Sequence, residues 1–180
     1  SEVLSAFDEI SLVDLMVKKG SDFVNDLPKG MKKDKETVAE TIENNVRRLI
    51  IDESPTNPKY FEKMSLLLDE IIRSRKDEVI GYKAYLEKIA ELAKKIKQPE
   101  DSSQYSEKTN KTAGLRALFD NIGDEDLAVS VHEEVTTYAK DSWRGSKIKE
   151  RQVRKLIQKY ISDDKLLEKV FEIIVNQKEY

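Results

Sequence analysis

Apolar side chains return at helical spacing through most of this chain, and that period constrains its fold more than any other feature. In residues 148–161, Val153, Leu156, Ile157, Tyr160 and Ile161 fall at i, i+3, i+4, i+7 and i+8, which gathers them on one face of an α-helix. Tyr60, Phe61, Met64, Leu67, Leu68, Ile71 and Ile72 make a second such face. Tyr82, Tyr85, Leu86, Ile89, Leu92, Ala93 and Ile96 make a third. With only 6 glycines and 4 prolines in 180 residues, the pattern suits amphipathic helices rather than a sandwich or barrel. The expected fold is all-α, an irregular bundle of about seven to nine helices with no sheet. One domain over residues 1–180 is the most economical organisation. A subdivision into 1–97 and 113–180 across the polar loop 98–112 is the alternative, and no repeat of fixed period is present.

Capping and breaking residues place the helix ends. A first helix over residues 4–19 is closed by Gly20, with Lys18 and Lys19 in the last turn, where cations suit the helix dipole. Ser21 or Asp22 can cap a short turn through Phe23 and Leu27, stopped by Pro28, and residues 29–33 form a basic connection. Asp34 caps a helix carrying Val38, Ile42, Val46 and Leu49, which must end by Pro55. Asn44 and Asn45 are poor helix formers there and are expected to face out or bond a neighbouring backbone. Asn57-Pro58 opens the next helix with a capping Asn and a first-turn Pro.

Arg75 and Glu78 interrupt the apolar seam that follows, and Gly81 adds about 1 kcal/mol of helix cost. Residues 59–97 therefore read as two helices with a break near 77–81, one long helix being the alternative. The polar stretch 98–112 is either an exposed loop or a segment laid over the surface with Tyr105 in a groove. A short helix from Thr112 ends at the C-cap Gly123. Asp124 caps another through about residue 138, with Leu127, Val131, Val135 and Tyr138 inward. Ser162-Asp163-Asp164 opens the last, which carries Leu166, Leu167, Val170, Ile173 and Ile174.

Several function classes are excluded or weakened. There is no cysteine, so disulfides, thiol catalysis and cysteine-held zinc are out. No apolar run approaches the roughly 20 residues that span a bilayer, so no membrane partner is expected. The opening Ser-Glu-Val-Leu has no initiator Met and no signal pattern, which points to a fragment of a longer chain or a processed terminus. Leu49-Ile50-Ile51-Asp52-Glu53 looks like a strand delivering Asp-Glu to magnesium, yet no Gly-rich phosphate loop accompanies it and its residues continue a helical period. His132, the only histidine, has no partner set and reads as a surface or boundary residue. No nucleophile–base pair has a recognisable context. The fragment itself is not expected to be an enzyme, and no metal or cofactor is expected in it.

What remains is a cationic face. The net charge is −3, so any nucleic-acid contact must come from a local patch. Opposite the stripe of residues 148–161 lie Arg151, Arg154, Lys155 and Gln158, with Lys147 just before the helix and Lys149 and Arg144 nearby. Such a face is either solvated surface or a contact for phosphates or acidic protein. Trp143 and Arg144 carry a local reading, the indole filling a gap between helices and the guanidinium capping carbonyls of the preceding helix. The other reading makes them part of a partner surface.

Three stretches together resemble one family. Ala39-Glu40-Thr41-Ile42-Glu43-Asn44-Asn45-Val46-Arg47, running into Ile50-Ile51-Asp52-Glu53 and Asn57-Pro58, is similar to a segment near the end of type I restriction enzyme motor (R) subunits. Arg116-Ala117-Leu118-Phe119-Asp120-Asn121-Ile122-Gly123 is similar to another. Trp143-Arg144-Gly145 with Lys149-Glu150-Arg151-Gln152-Val153-Arg154, and the closing Asn176-Gln177-Lys178-Glu179-Tyr180, resemble the last signature. Ser146 stands where Asn is expected. The likeness covers essentially the whole chain. It implies a cytoplasmic, bacterial or archaeal protein, the C-terminal helical domain of an ATP-dependent type I site-specific deoxyribonuclease and DNA translocase. ATP and magnesium would belong to motor and nuclease domains whose motifs are not in this sequence. The implied partners are the methyltransferase and specificity subunits, the motor domains of the same chain, and duplex DNA. Candidate DNA- or partner-binding residues are Arg144, Lys147, Lys149, Arg151, Arg154 and Lys155; Trp143, Asn44, Asn45 and Arg47 are candidate structural or partner residues.

Overall fold

A computed structural model of the chain describes residues 9–27, 29–31 and 34–180. Among these residues there are eight α-helices and no strand, so the fold is all-α. In order they are α1 (Glu9–Lys19), α2 (Lys35–Glu53), α3 (Pro58–Lys76), α4 (Tyr82–Lys97), α5 (Ala113–Ile122), α6 (Glu125–Tyr138), α7 (Lys147–Gln158) and α8 (Asp164–Val175). Short 3-10 turns occupy Gly20–Asp26, Lys29–Met31, Ser54–Thr56 and Pro99–Asp101. The expected residues 4–8 of the first helix, Pro28, Lys32 and Lys33 lie outside the described residues. No helix of the described residues is long and apolar enough to cross a membrane.

The chain forms two compact units. The first runs to Asp52 and resumes over Phe61–Asp101; the second takes Glu53–Tyr60 and Ser102–Tyr180. In the first, α1 and the turn after it pack on α4. Leu12, Met16, Phe23, Ile42, Leu68, Tyr85 and Ile89 are fully buried. Asp34 caps α2 as expected, its carboxylate accepting from the Glu36 N–H at 3.0 Å and the Thr37 hydroxyl at 2.7 Å. Asn44 faces out, and Asn45 donates to the Thr41 carbonyl one turn back at 2.7 Å. Arg47 pairs on the surface with Asp69.

The break between α3 and α4 lies where the period predicts, for a different reason. Gly81 has an ordinary φ of −76° and caps α4. The left-handed residue that ends α3 is Glu78, with φ 54°, and the N–H groups of Val79 and Ile80 fold back onto the Ser74 carbonyl. Asp52 and Glu53 end a helix, not a strand.

In the second unit α5 packs on α6 and α8, and α7 bridges α6 and α8. Leu118, Val131, Val135, Val153, Ile157, Phe171 and Ile174 fill the centre. Thr112, Asp124, Ser146 and Asp163 cap the four helices with side-chain oxygens. Gly123, at φ 80°, closes α5. Tyr105 is pinned rather than free: it is buried, its ring edge-on to Phe119 and its hydroxyl donating to Asp120. Two inward assignments fail. Tyr138 is 60% and Tyr160 39% exposed: Tyr138 is the final residue of α6, and Tyr160 lies beyond the end of α7 at Gln158, where helical spacing no longer places it. Phe171, absent from the expected stripe of α8, takes core space beside Trp143.

Burial also sets the response to alkali. Tyr85, Tyr105 and Tyr180 have phenol pKa values pushed upward, by burial first, and then by a hydrogen bond to Glu43 for Tyr85, a hydrogen bond to Asp120 for Tyr105, and the charge of Glu179 for Tyr180. An unfolded Tyr releases its proton near pH 10 while these retain theirs, so above about pH 10 the unfolded state binds fewer protons and stability falls. Urea midpoints are expected to be flat in this respect up to about pH 10. Beyond it the loss is about 1.4 kcal/mol per pH unit for each buried Tyr. An unchanged midpoint at about pH 11 would contradict this.

Candidate functional site

The loop and helix from residue 140 to 160 are built from local rules. Two left-handed residues, Ser142 (φ 55°) and Gly145 (φ 83°), bracket Trp143 and Arg144. Glycine suits the second position because residues with a Cβ rarely adopt that positive φ, although the space around it is open. Ser146 then caps α7 by accepting from the Lys149 N–H, and Glu150 reaches back to the Gly145 N–H at 2.9 Å. The expected start near Ile148 shifts to Lys147, and the hydroxyl standing where Asn was expected does the capping.

The turn aims Trp143 inward. Its indole is 3% exposed and tilts against Phe171, ring centroids 5.9 Å apart. Arg144 lies over the indole at 4.5 Å. Its guanidinium donates to the carbonyls of Val175 (2.9 Å), Ile174 (3.1 Å) and Gln177 (2.6 Å), and to the main-chain oxygen of Tyr180. A capping role was expected on the preceding helix; the structure puts it on the last one, α8, because the turn projects Arg144 toward that helix's unpaired carbonyls. The segment after α8 is tied down as well. The Gln177 side-chain amide donates to the Thr56 carbonyl at 2.6 Å. Glu179 accepts from the Gly114 N–H in the first turn of α5, and the Tyr180 hydroxyl bonds His132 Nδ1. A Cβ on Gly114 would run into Glu179 and the Tyr180 ring. Burial lowers the His132 pKa, more than Glu179 and Glu133 raise it.

The other motif residues of this unit interlock in the same way. Asn57 caps α3 through its carbonyl oxygen to the Tyr60 N–H, accepts from Asn121 at 2.9 Å, and donates to Asp120 at 2.8 Å. Asp120 also receives Gln104 at 2.9 Å and Tyr105.

The six candidate cations separate into two sets. Arg144 is spent on carbonyls. Lys149 donates to the Asp141 carbonyl at 2.9 Å. Arg154 pairs with Glu168 at 2.8 Å and covers the Phe171 ring at 3.9 Å. Lys147, Arg151 and Lys155 are exposed, and among the described residues their head groups have no ion pair or hydrogen bond. They fall one helical turn apart, each step advancing about 6 Å. Ile148, 71% exposed, stands beside the first of them.

Two groups escaped the sequence reading. Lys159 continues the four-residue spacing and reaches Glu134, its Nζ 5.4 Å from the Tyr138 ring centroid; the spacing itself was the available signal. In the first unit Glu43, inside the Glu-Asn-Asn-Val-Arg stretch, is 6% exposed. It receives Arg75 Nε at 2.8 Å, Arg75 Nη2 at 3.0 Å and the Tyr85 hydroxyl at 2.8 Å. A carboxylate at helical spacing from Ala39, Val46 and Ile50 was the clue. Among the described residues no group of three or more His, Asp and Glu side chains converges as a metal site. Comparison with protein-family models, curated proteins and solved structures finds no match to this chain.

Proposed function

We propose that this chain is the C-terminal helical domain of a type I restriction enzyme motor (R) subunit, and that it docks the motor onto the methyltransferase–specificity core. One observation carries the reading: residues from separate stretches behind the sequence resemblance bond one another inside one unit. Asn57 of the first stretch meets Asp120 and Asn121 of the second; within the third, Arg144 holds the carbonyls around the closing Asn-Gln-Lys-Glu-Tyr segment, whose Gln177 returns to Thr56 beside Asn57. A likeness carried by interlocking residues favours a shared fold over chance helical composition. ATP and magnesium belong, on this reading, to other domains of the parent enzyme: Asp52 and Glu53 lie exposed at the end of a helix, not at the end of a strand. The test is co-elution of this chain with a purified methyltransferase–specificity complex at low and moderate salt, together with assembly of a motor subunit lacking this domain. Retention of the chain and failed assembly of the truncated subunit are expected. Unimpaired assembly of the truncated subunit would reject the reading.

A second reading, a domain that contacts the backbone of duplex DNA beside the motor, is favoured by Lys147, Arg151 and Lys155 of α7, which have no partner among the described residues. Its binding should weaken steeply with salt. No retardation of a duplex at low salt would remove it.

A further inference from the structure

We propose that the outer face of α7, together with Tyr138 and Tyr160, is a platform for single-stranded nucleic acid. Lys147, Arg151 and Lys155 would follow the phosphates and the two tyrosines would stack on bases. The inference shares its phosphate row with the duplex reading above but adds base contacts that a duplex cannot make.

The exposed positions of α7 are Lys147, Ile148, Arg151, Gln152, Lys155 and Gln158. No carboxylate is among them, since Glu150 turns back to Gly145. The face is therefore rich in hydrogen-bond donors and poor in apolar anchors, with Ile148 at one end only. Protein–protein contacts concentrate apolar and aromatic anchors at their centre and are depleted in Lys. A phosphodiester chain needs neither condition, because its attraction comes from neutralised charge and released counterions.

Lys159, one further turn on, bonds Glu134 and covers the Tyr138 ring. The Tyr160 hydroxyl donates to the same Glu134 at 3.4 Å. Glu134 is thus paired with Lys159, and the two tyrosines are connected through this pair, Tyr138 by Lys159 and Tyr160 by Glu134. Tyr138 stays 60% exposed and Tyr160 39%. Cations that track a backbone, followed by exposed rings, are the arrangement by which proteins hold single strands, whose base faces are open for stacking. Paired bases present no such face.

The test is fluorescence anisotropy of the whole chain with labelled oligothymidylate of about 16 nucleotides, a duplex of equal length and a polyglutamate peptide, each across a salt series. The single strand should bind more tightly than the duplex. The triple variant Lys147→Glu, Arg151→Glu, Lys155→Glu should lose about tenfold or more and reduce the salt slope by about 2. An equal charge change at the exposed Lys111, Lys165 and Lys169 should leave most of the affinity. Tyr138→Ala and Tyr160→Ala should each weaken the single strand by roughly fivefold or more while sparing the duplex. These sites are exposed, so helicity and melting should match the parent chain.

Duplex binding as tight as single-strand binding, insensitive to both tyrosine variants, would overturn this inference and leave the duplex reading standing. Preference for polyglutamate, or equal loss in the control triple, would overturn it as well. Absence of binding to either nucleic acid at low salt would overturn both.

Discussion

Replacing Glu43 by Ala is expected to lower the unfolding free energy of the first unit by about 3–5 kcal/mol. The carboxylate receives two guanidinium N–H groups from Arg75 and the hydroxyl of Tyr85. The Glu43 and Arg75 side chains are 8% and 10% exposed. Removing the acid leaves a cation that cannot neutralise itself. The Arg75 pKa is already raised, chiefly by its hydrogen bond to Glu43 and against the opposing effect of burial. Glu36, 59% exposed, is the one carboxylate still paired with Arg75 among the described residues. Tyr85 would keep only its 3.3 Å bond to the Ala39 carbonyl. Removing both charges is a different case: Glu43→Leu with Arg75→Met replaces the pair by apolar volume and should recover most of the loss. Urea unfolding of the two single variants and the double variant measures the coupling. A single Ala variant within about 1 kcal/mol of the parent would show that water, not Glu43, satisfies Arg75.

Trp143→Ala should destabilise the second unit by about 3–5 kcal/mol, the range for emptying a large aromatic site. Trp143→Phe should cost under about 2 kcal/mol. The contrast follows from the indole N–H, which is buried and has no hydrogen-bond partner among the described residues. A Phe ring keeps the contact with Phe171 and removes an unsatisfied donor, whose burial is itself unfavourable. Trp143→Ala should also loosen the Arg144 guanidinium that rests on the indole. Faster proteolysis after α8 would report that, since Arg144 holds the carbonyls there. If the Phe and Ala variants unfold at the same urea concentration, the role assigned to Trp143 as space-filling is wrong.

The candidate surface was only half legible in the sequence. Six basic residues shared one stretch, and helical spacing alone could not say which were committed. Arg154 meets Glu168 fourteen positions later, and Arg144 meets carbonyls thirty and more positions away. Lys147, Arg151 and Lys155 remain because no acidic side chain of a neighbouring helix arrives opposite them, which only the packing of α6 and α8 around α7 determines. Tyr138 and Tyr160 were assigned inward by period, yet period holds only inside a helix, and α6 ends at Tyr138 while α7 ends before Tyr160.

By itself the sequence determined the all-α class, the break between α3 and α4, and the caps at Asp34, Asn57 and Asp124. These depend on interactions within about one helical turn, where spacing and capping chemistry are sufficient. Tertiary structure decided the buried pairing of Glu43 with Arg75, the seat of Tyr105 on Asp120, and the anchoring of the closing segment by Arg144. Each joins residues far apart along the chain. A partner for a buried charge or polar group is fixed by which helix crosses at that point, and side-chain periodicity carries no record of the crossing.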